Sequence, residues 1–87
     1  MENYNSKDFM RKANQLVDYF KYNAENEGEA WVYGLKIAKK WQSLLINHEA
    51  QGIEIKVLLH ELKNPPEPQG TAYSELEYFI SLWAKKE

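Results

Sequence analysis

Apolar residues recur along the chain at intervals of three and four, which is the period of an amphipathic α-helix. The clearest run predicts a first helix over about residues 6–24, and Asn5 or Ser6 is expected to cap its first turn with a side-chain oxygen. At about 100° per residue, the apolar positions of this run occupy one narrow face. This predicted buried face consists of Phe9, Ala13, Leu16, Val17, Phe20 and Ala24.

A second helix is predicted over about residues 28–50, with Gly52 ending it in the left-handed conformation. One apolar face carries Gly34, Ile37, Ala38, Trp41, Leu44, Leu45 and His48. A second face, about 90–120° away, carries Trp31, Val32, Leu35 and Ile46. A helix this apolar either lies at the centre of a bundle or presents one side to a partner. We also expect Gly34 and Ala38 to let a neighbouring backbone come close.

The segment over about residues 53–63 fits two periods. With a period of two, the alternating apolar residues of a strand are Ile53, Ile55, Val57 and Leu59. With the helical period, the buried stripe is Ile55, Leu58, Leu59 and Leu62. We predict a helix, because a lone strand in an otherwise helical monomer would leave its backbone groups without hydrogen-bond partners. A strand that pairs across a dimer is the alternative.

Prolines break the helical pattern within the sequence NPPEPQGT, residues 64–71, so an extended connector is predicted there. A last helix is predicted over about residues 74–86, with Ser74 and Glu77 forming a capping box at its start. Tyr73 and Tyr78 occupy the positions of a hydrophobic staple at this start. The predicted buried stripe of the helix consists of Leu76, Phe79, Ile80 and Trp83.

Length and composition indicate one domain. Chains of 87 residues rarely hold two cores, so residues 1–87 are predicted to form a single all-α domain, a small bundle of three to four helices with a Pro-rich connector before the last helix. The absence of Cys excludes a disulfide scaffold, a thiolate metal site and a Cys nucleophile. The polar start shows no signal peptide and no apolar run approaches about 20 residues, so we expect a cytoplasmic protein without membrane contact.

The residues that carry chemistry in other proteins lack their usual neighbours here. His48 and His60 are each followed by Glu, but Gly52 and Asn64 stand where a zinc-protease motif needs a second His. The two histidines together would still lack a third metal ligand. No Gly-x-Ser-x-Gly sequence is present, and the four Gly are too scattered for a phosphate-binding loop. We therefore predict no catalytic residue, no metal site and no cofactor, and a protein that is not an enzyme.

Basic residues near aromatic ones suggest the alternative function, which is binding of nucleic acid. Rings beside cations suit single-stranded nucleic acid. However, the formal net charge is −2, from 11 basic and 13 acidic residues, and lysines also coat ordinary solvated helix faces. The alternative nucleic-acid-binding residues are Arg11, Lys12, Lys36, Lys39 and Lys40.

The favoured function is binding of another protein, because the chain has more large apolar residues than one narrow core stripe per helix requires. Tyr and Trp are also enriched among the residues that dominate binding energy at protein interfaces. The predicted protein-binding residues are Tyr19, Tyr22, Trp31, Val32, Leu35, Ile46, Tyr78 and Leu82. If the second helix is instead covered on two sides, Val32, Leu35 and Ile46 belong to the core.

No sequence motif identifies a family. In size and architecture alone, the chain resembles small bacterial and phage-encoded helical proteins such as immunity proteins and inhibitors of host enzymes. This resemblance implies a non-catalytic inhibitor, immunity-type or adaptor protein. The expected partner is another protein, or a second copy of the chain in a homodimer.

Overall fold

The structure, a computed structural model, describes residues 5–27, 30–47, 52–63 and 70–86. These residues form four helices: α1 (Ser6–Glu27), α2 (Ala30–Asn47), α3 (Gly52–Leu62) and α4 (Gly70–Lys86). No residue in these ranges belongs to a strand, so the predicted all-α bundle is confirmed and the ambiguous third segment is helical. None of these four helices is long and apolar enough to cross a membrane. The prolines of the predicted connector and His48 lie outside the described residues.

Helix α1 begins with a reciprocal cap. The backbone N–H of Asp8 donates to Oδ1 of Asn5 over 3.0 Å, and the backbone N–H of Asn5 donates to Oδ2 of Asp8 over 3.0 Å. The first bond satisfies an N–H that the first turn leaves without an intrahelical partner, so the predicted cap at Asn5 is confirmed. The helix continues to Glu27, about three residues beyond the predicted end.

Helix α4 begins at Gly70, about one turn before the predicted start, and the predicted capping box is wrong. Both Ser74 and Glu77 lie inside the helix. The preceding turn is helical because Ala72 and Tyr73 are buried in the bundle, which outweighs the weak helix propensity of Gly70. The predicted hydrophobic staple fails for the same reason, since Tyr73 is a buried helical residue and does not precede the helix.

The boundary between α2 and α3 also differs from the prediction. Helix α2 is described from Ala30 to Asn47, and residues 48–51 lie outside the described part. Gly52, predicted to end α2, is instead the first residue of α3. Because Gly adopts both helical and left-handed backbone angles at little cost, its presence between two apolar segments does not show which helix it belongs to.

Helices α1 and α2 form an antiparallel hairpin, since Phe9 contacts Trp41 whereas Phe20 contacts Trp31. The core centres on Trp41, whose ring centroid lies 6.3 Å from that of Phe9 and 6.3 Å from that of Trp83 in α4. All four helices contribute to one core, so they form a single bundle. The largest fully buried side chains are those of Phe20, Ile37, Trp41, Leu58, Leu62, Leu76 and Ile80.

Two tyrosines hold the carboxyl end of α3 against its neighbours. The hydroxyl of Tyr33 in α2 donates to the carbonyl oxygen of Glu61, and the hydroxyl of Tyr73 in α4 donates to that of Leu62. The last carbonyls of a helix have no partner within the helix, so these side chains cap α3. The carboxylate of Glu61 also pairs with Nζ of Lys40 in α2 at 2.7 Å. Helix α3 is thereby fixed to both α2 and α4.

Candidate protein-binding surfaces

The eight predicted protein-binding residues do not form one surface. Tyr19 and Trp31 contact each other at the end of the α1–α2 hairpin, with Tyr22 one helical turn after Tyr19. Tyr78 and Leu82 line a groove between α3 and α4. The remaining three lie along α2 and are Val32, Leu35 and Ile46. The chain therefore offers two separate candidate surfaces.

The first surface is the hairpin aromatic cluster, which consists of Tyr19, Phe20, Tyr22 and Trp31. The centroid of the Trp31 ring lies 5.8 Å from that of Tyr19 and 5.7 Å from that of Phe20. Phe20 is fully buried and Trp31 is half-buried, whereas Tyr19 is 49% exposed and Tyr22 is 59% exposed. The cluster therefore leads from the core to the solvent.

Gly34 of α2 makes room for the buried end of this cluster. A Cβ atom at this position would lie 2.4 Å from Cε1 and 2.7 Å from Cδ1 of Phe20, well inside van der Waals contact. The prediction that Gly34 lets a neighbouring backbone come close is therefore wrong at this position. The close neighbour of Gly34 is the aromatic ring of Phe20. Since Phe20 lies this close to α2, its ring also contacts Trp31, one turn before Gly34.

The second surface is a groove of about 340 Å³ between α3 and α4. Tyr78 and Leu82 lie one turn apart on its α4 side, where Tyr78 is 48% exposed and Leu82 is half-buried. Leu59 and Lys63 line the α3 side and were not among the predicted residues. No sequence signal joins these two sides, because they belong to different helices. The Tyr73 hydroxyl donates to the carbonyl oxygen of Leu62 and so links the end of α3 to α4.

The outer face of α2 is not a continuous apolar surface. Val32 and Ile46 are exposed there, but they lie about 21 Å apart along the helix axis at 1.5 Å per residue. Exposed polar residues lie between them, namely Lys36, Lys39 and Ser43. Single exposed apolar residues are ordinary on protein surfaces, so this face carries little evidence for binding.

Trp31 and Leu35 are half-buried and pack against the core. This is the arrangement expected for a central helix covered on two sides. Only these two residues of the second face pack in this way, because Val32 and Ile46 are exposed. The second apolar face of α2 is therefore divided between packing and solvent.

Two large apolar residues outside the predicted set are exposed on α3. Ile53 is 75% exposed, and Val57, one turn later, is also exposed. With the helical period, both residues fall outside the buried stripe, so the sequence does indicate that they are exposed. The strand period gives the opposite indication, because it places Ile53 and Val57 on the apolar side.

The basic residues of the alternative nucleic-acid site point to different neighbours. Nζ of Lys12 lies 3.3 Å from Oε1 of Glu75 in α4 and 4.9 Å from the centre of the Phe79 ring. Nζ of Lys40 lies 2.7 Å from Oε1 of Glu61 in α3. These carboxylates offset the charge of two of the five cations. The other three are exposed and are Arg11 on α1 and Lys36 and Lys39 on α2.

Among the described residues, no group of three or more His, Cys, Asp or Glu side chains is placed to hold a metal ion. His60 is exposed. Burial raises the pKa of Tyr33, and Glu61 raises it further while Lys40 lowers it. Burial also raises the pKa of Tyr73, with a smaller contribution from Tyr33. Since both hydroxyls donate to the end of α3, these raised pKa values belong to a structural cap.

The chain matches no model of a known protein family, no curated protein and no solved structure. No relative therefore supplies a role for any residue. The hairpin aromatic cluster and the α3–α4 groove are the two candidate functional surfaces of the described residues.

Proposed function

We propose that this chain is a non-catalytic protein-interaction module, a small helical inhibitor, immunity-type or adaptor protein, that binds its partner protein through the hairpin aromatic cluster. The observation that carries the proposal is the contact of Tyr19 with Trp31, which connects an exposed ring to the buried Phe20. Aromatic residues packed in this way are typical of the few residues that dominate binding energy at protein interfaces.

The cluster is suited to binding because its rings are held in place before a partner arrives. Tyr and Trp provide a large contact area while only two side-chain torsions need to be fixed. Trp31 already packs against Tyr19 and Phe20, so little further conformational entropy is lost when a partner covers it. Tyr22, one turn beyond Tyr19, extends the exposed aromatic area along α1.

The test compares wild-type protein with Tyr19→Ala and Tyr22→Ala. Each is used to capture a partner from an extract of the native cells, and the affinity for the captured protein is then measured by calorimetry. We expect each substitution to weaken binding by about 2 kcal/mol, or about 30-fold, as for central residues of an interface. The midpoint temperature of thermal unfolding of Tyr22→Ala should remain close to that of wild type, because the Tyr22 side chain is largely exposed.

Ile53→Ala is the matched control, because Ile53 is even more exposed and lies on α3. It should bind the partner as wild type does. Equal affinities of wild type, Tyr19→Ala and Tyr22→Ala would show that the partner does not bind at the cluster. Capture of nucleic acid, with an affinity that falls steeply with salt and on Lys36→Glu or Lys39→Glu, would instead support the alternative function.

A further inference from the structure

The outward face of α4 is complementary to itself. We call it the α4 face, and it lines the α3–α4 groove on the side of the helix opposite the buried stripe. It combines small, aromatic and aliphatic side chains with one charge of each sign. Its residues follow helical spacing and are Ser74, Glu77, Tyr78, Ser81, Leu82 and Lys85.

We infer that the α4 face is the interface of a homodimer, in which two α4 helices pack antiparallel across a twofold axis. The axis passes midway between Tyr78 and Ser81, so the Tyr78 ring of each copy packs against the small Ser81 of the other. A twofold interface uses the same surface on both copies, so each contact occurs twice. A large ring opposite a small residue fills the space between helices about 8–10 Å apart.

The charges of the α4 face select this orientation. The twofold axis sets Glu77 opposite Leu82 of the second copy, about 4.5 Å along the helix from Lys85 of that copy. The long Lys side chain spans this distance, so two Glu77–Lys85 pairs form. A parallel pairing in register would instead set equal charges beside each other. Within the described residues, neither Glu77 nor Lys85 has an ion-pair partner in its own chain, so both remain to be paired.

The groove gives the second copy an apolar surface to cover. Leu59 and Leu82 are half-buried and Tyr78 is exposed in the single chain, and all three lose solvent contact in the dimer. The formal net charge of −2 adds little repulsion between copies. This inference does not depend on the proposed partner of the hairpin aromatic cluster, because the two surfaces share no residue.

Sedimentation equilibrium of the whole chain tests the dimer through charge reversal. Glu77→Lys and Lys85→Glu each turn both attractive pairs into repulsive ones, so each should raise the dissociation constant of the dimer by about tenfold or more. Mixing the two variants should restore dimers, because one copy then carries two positive charges on its α4 face and the other two negative ones. Both side chains are exposed, so the fold should be retained, which circular dichroism checks.

Asp18→Lys and Lys21→Glu are the matched controls, since both residues are exposed on α1, and both should dimerise as wild type. Wild-type protein that stays monomeric up to millimolar concentration would overturn the inference. A dimer that resists both α4 reversals would have to form through another face. A dimer weakened by both but not restored by mixing would rule out the antiparallel pairing. Capture of a foreign protein on the groove of a monomeric chain would likewise overturn the homodimer.

Discussion

At the scale of single residues, the contact between Gly34 and Phe20 limits what α2 tolerates. Ala favours a helix over Gly by about 1 kcal/mol. The added Cβ, however, would lie 2.4 Å from a ring that is fully buried and packed against Trp31. Overpacking of this kind costs about 1–3 kcal/mol. The net effect of the two terms is that Gly34→Ala should lower the free energy of unfolding by up to about 2 kcal/mol, as measured by urea denaturation.

Ser43→Ala is the control for this substitution, because Ser43 is exposed on the same helix. Its free energy of unfolding should lie within about 0.5 kcal/mol of wild type. If Gly34→Ala were more stable than wild type by the full helix-propensity gain of about 1 kcal/mol, the Phe20 ring would have to move aside at no cost. That result would show that Phe20, at the buried end of the hairpin aromatic cluster, is not tightly packed against α2.

Burial of individual residues on α2 is only partly predictable from sequence. Helical period correctly groups Trp31, Val32, Leu35 and Ile46 away from the main core stripe. It does not show that Trp31 and Leu35 pack on the core whereas Val32 and Ile46 are exposed. That difference depends on how far the neighbouring helices extend around α2, which is a tertiary property. The same is true of the Tyr19–Trp31 contact, since it joins two helices.

At the scale of helices, the sequence predicts where helices exist better than where they begin. The apolar stripe of α1 follows from spacing alone. The spacing of α3 also fits a strand, and the helix is predicted there because a lone strand would leave its backbone groups unpaired; the structure contains both helices. The start of α4 does not follow, because Gly70 is a weak helix former and the spacing of Ser74 and Glu77 imitates a local start signal. The burial of Ala72 and Tyr73 that extends the helix is a tertiary effect.

The tyrosine caps of α3 should make the stability of the bundle depend on alkaline pH. Burial raises the pKa of Tyr73, and also that of Tyr33, above the ordinary value of 10.0. A group that binds its proton more tightly when folded contributes fully below its unfolded pKa, and the contribution is lost as pH rises through the folded value. We expect the free energy of unfolding to fall above about pH 10, and to fall less in Tyr73→Phe. Urea denaturation at a series of pH values measures both slopes.

Near neutral pH, Tyr73→Phe should also lower the free energy of unfolding by about 1 kcal/mol, because the carbonyl of Leu62 loses its donor. Tyr22→Phe is the matched control, since the Tyr22 side chain is largely exposed on α1. Its free energy of unfolding near neutral pH should lie within about 0.5 kcal/mol of wild type. An alkaline slope in Tyr73→Phe equal to that of wild type would show that the Tyr73 hydroxyl does not titrate with unfolding.

At the scale of the whole molecule, α4 has one flank beside Tyr19 of the hairpin aromatic cluster and another flank in the α3–α4 groove. Ala72 and Glu75 face α1, where they line a depression beside Tyr19. Ser74 and Tyr78 face the groove on the α3 side. Sequence patterns predict only in part which residues of each helix are in excess of the core, since Trp31 and Leu35 pack against it. They do not predict this division, because it depends on which flank of α4 meets α1.

A dimer through the α4 face leaves both hairpin aromatic clusters open, which makes the assembly bivalent. Bivalent binding to an immobilised partner gains avidity without any new contact. On the basis of both proposals, Lys85→Glu should weaken retention on a densely coated surface by about tenfold or more. Its affinity for the free partner in solution should be unchanged. Surface plasmon resonance and calorimetry measure the two quantities, and equal losses in both would place Lys85 in the partner-binding site.

The three tryptophans differ in their surroundings, and this gives the molecule a spectroscopic signal of its own. Trp41 and Trp83 are buried in the core, whereas Trp31 is half-buried in the hairpin aromatic cluster. Indole fluorescence responds to contact with water. Trp41 and Trp83 are shielded from water, so Trp31 is the residue whose emission reports whether the cluster is covered. A protein that covers the cluster should shift and strengthen the emission of Trp31 alone. Titration of the unlabelled chain can therefore follow partner binding in real time.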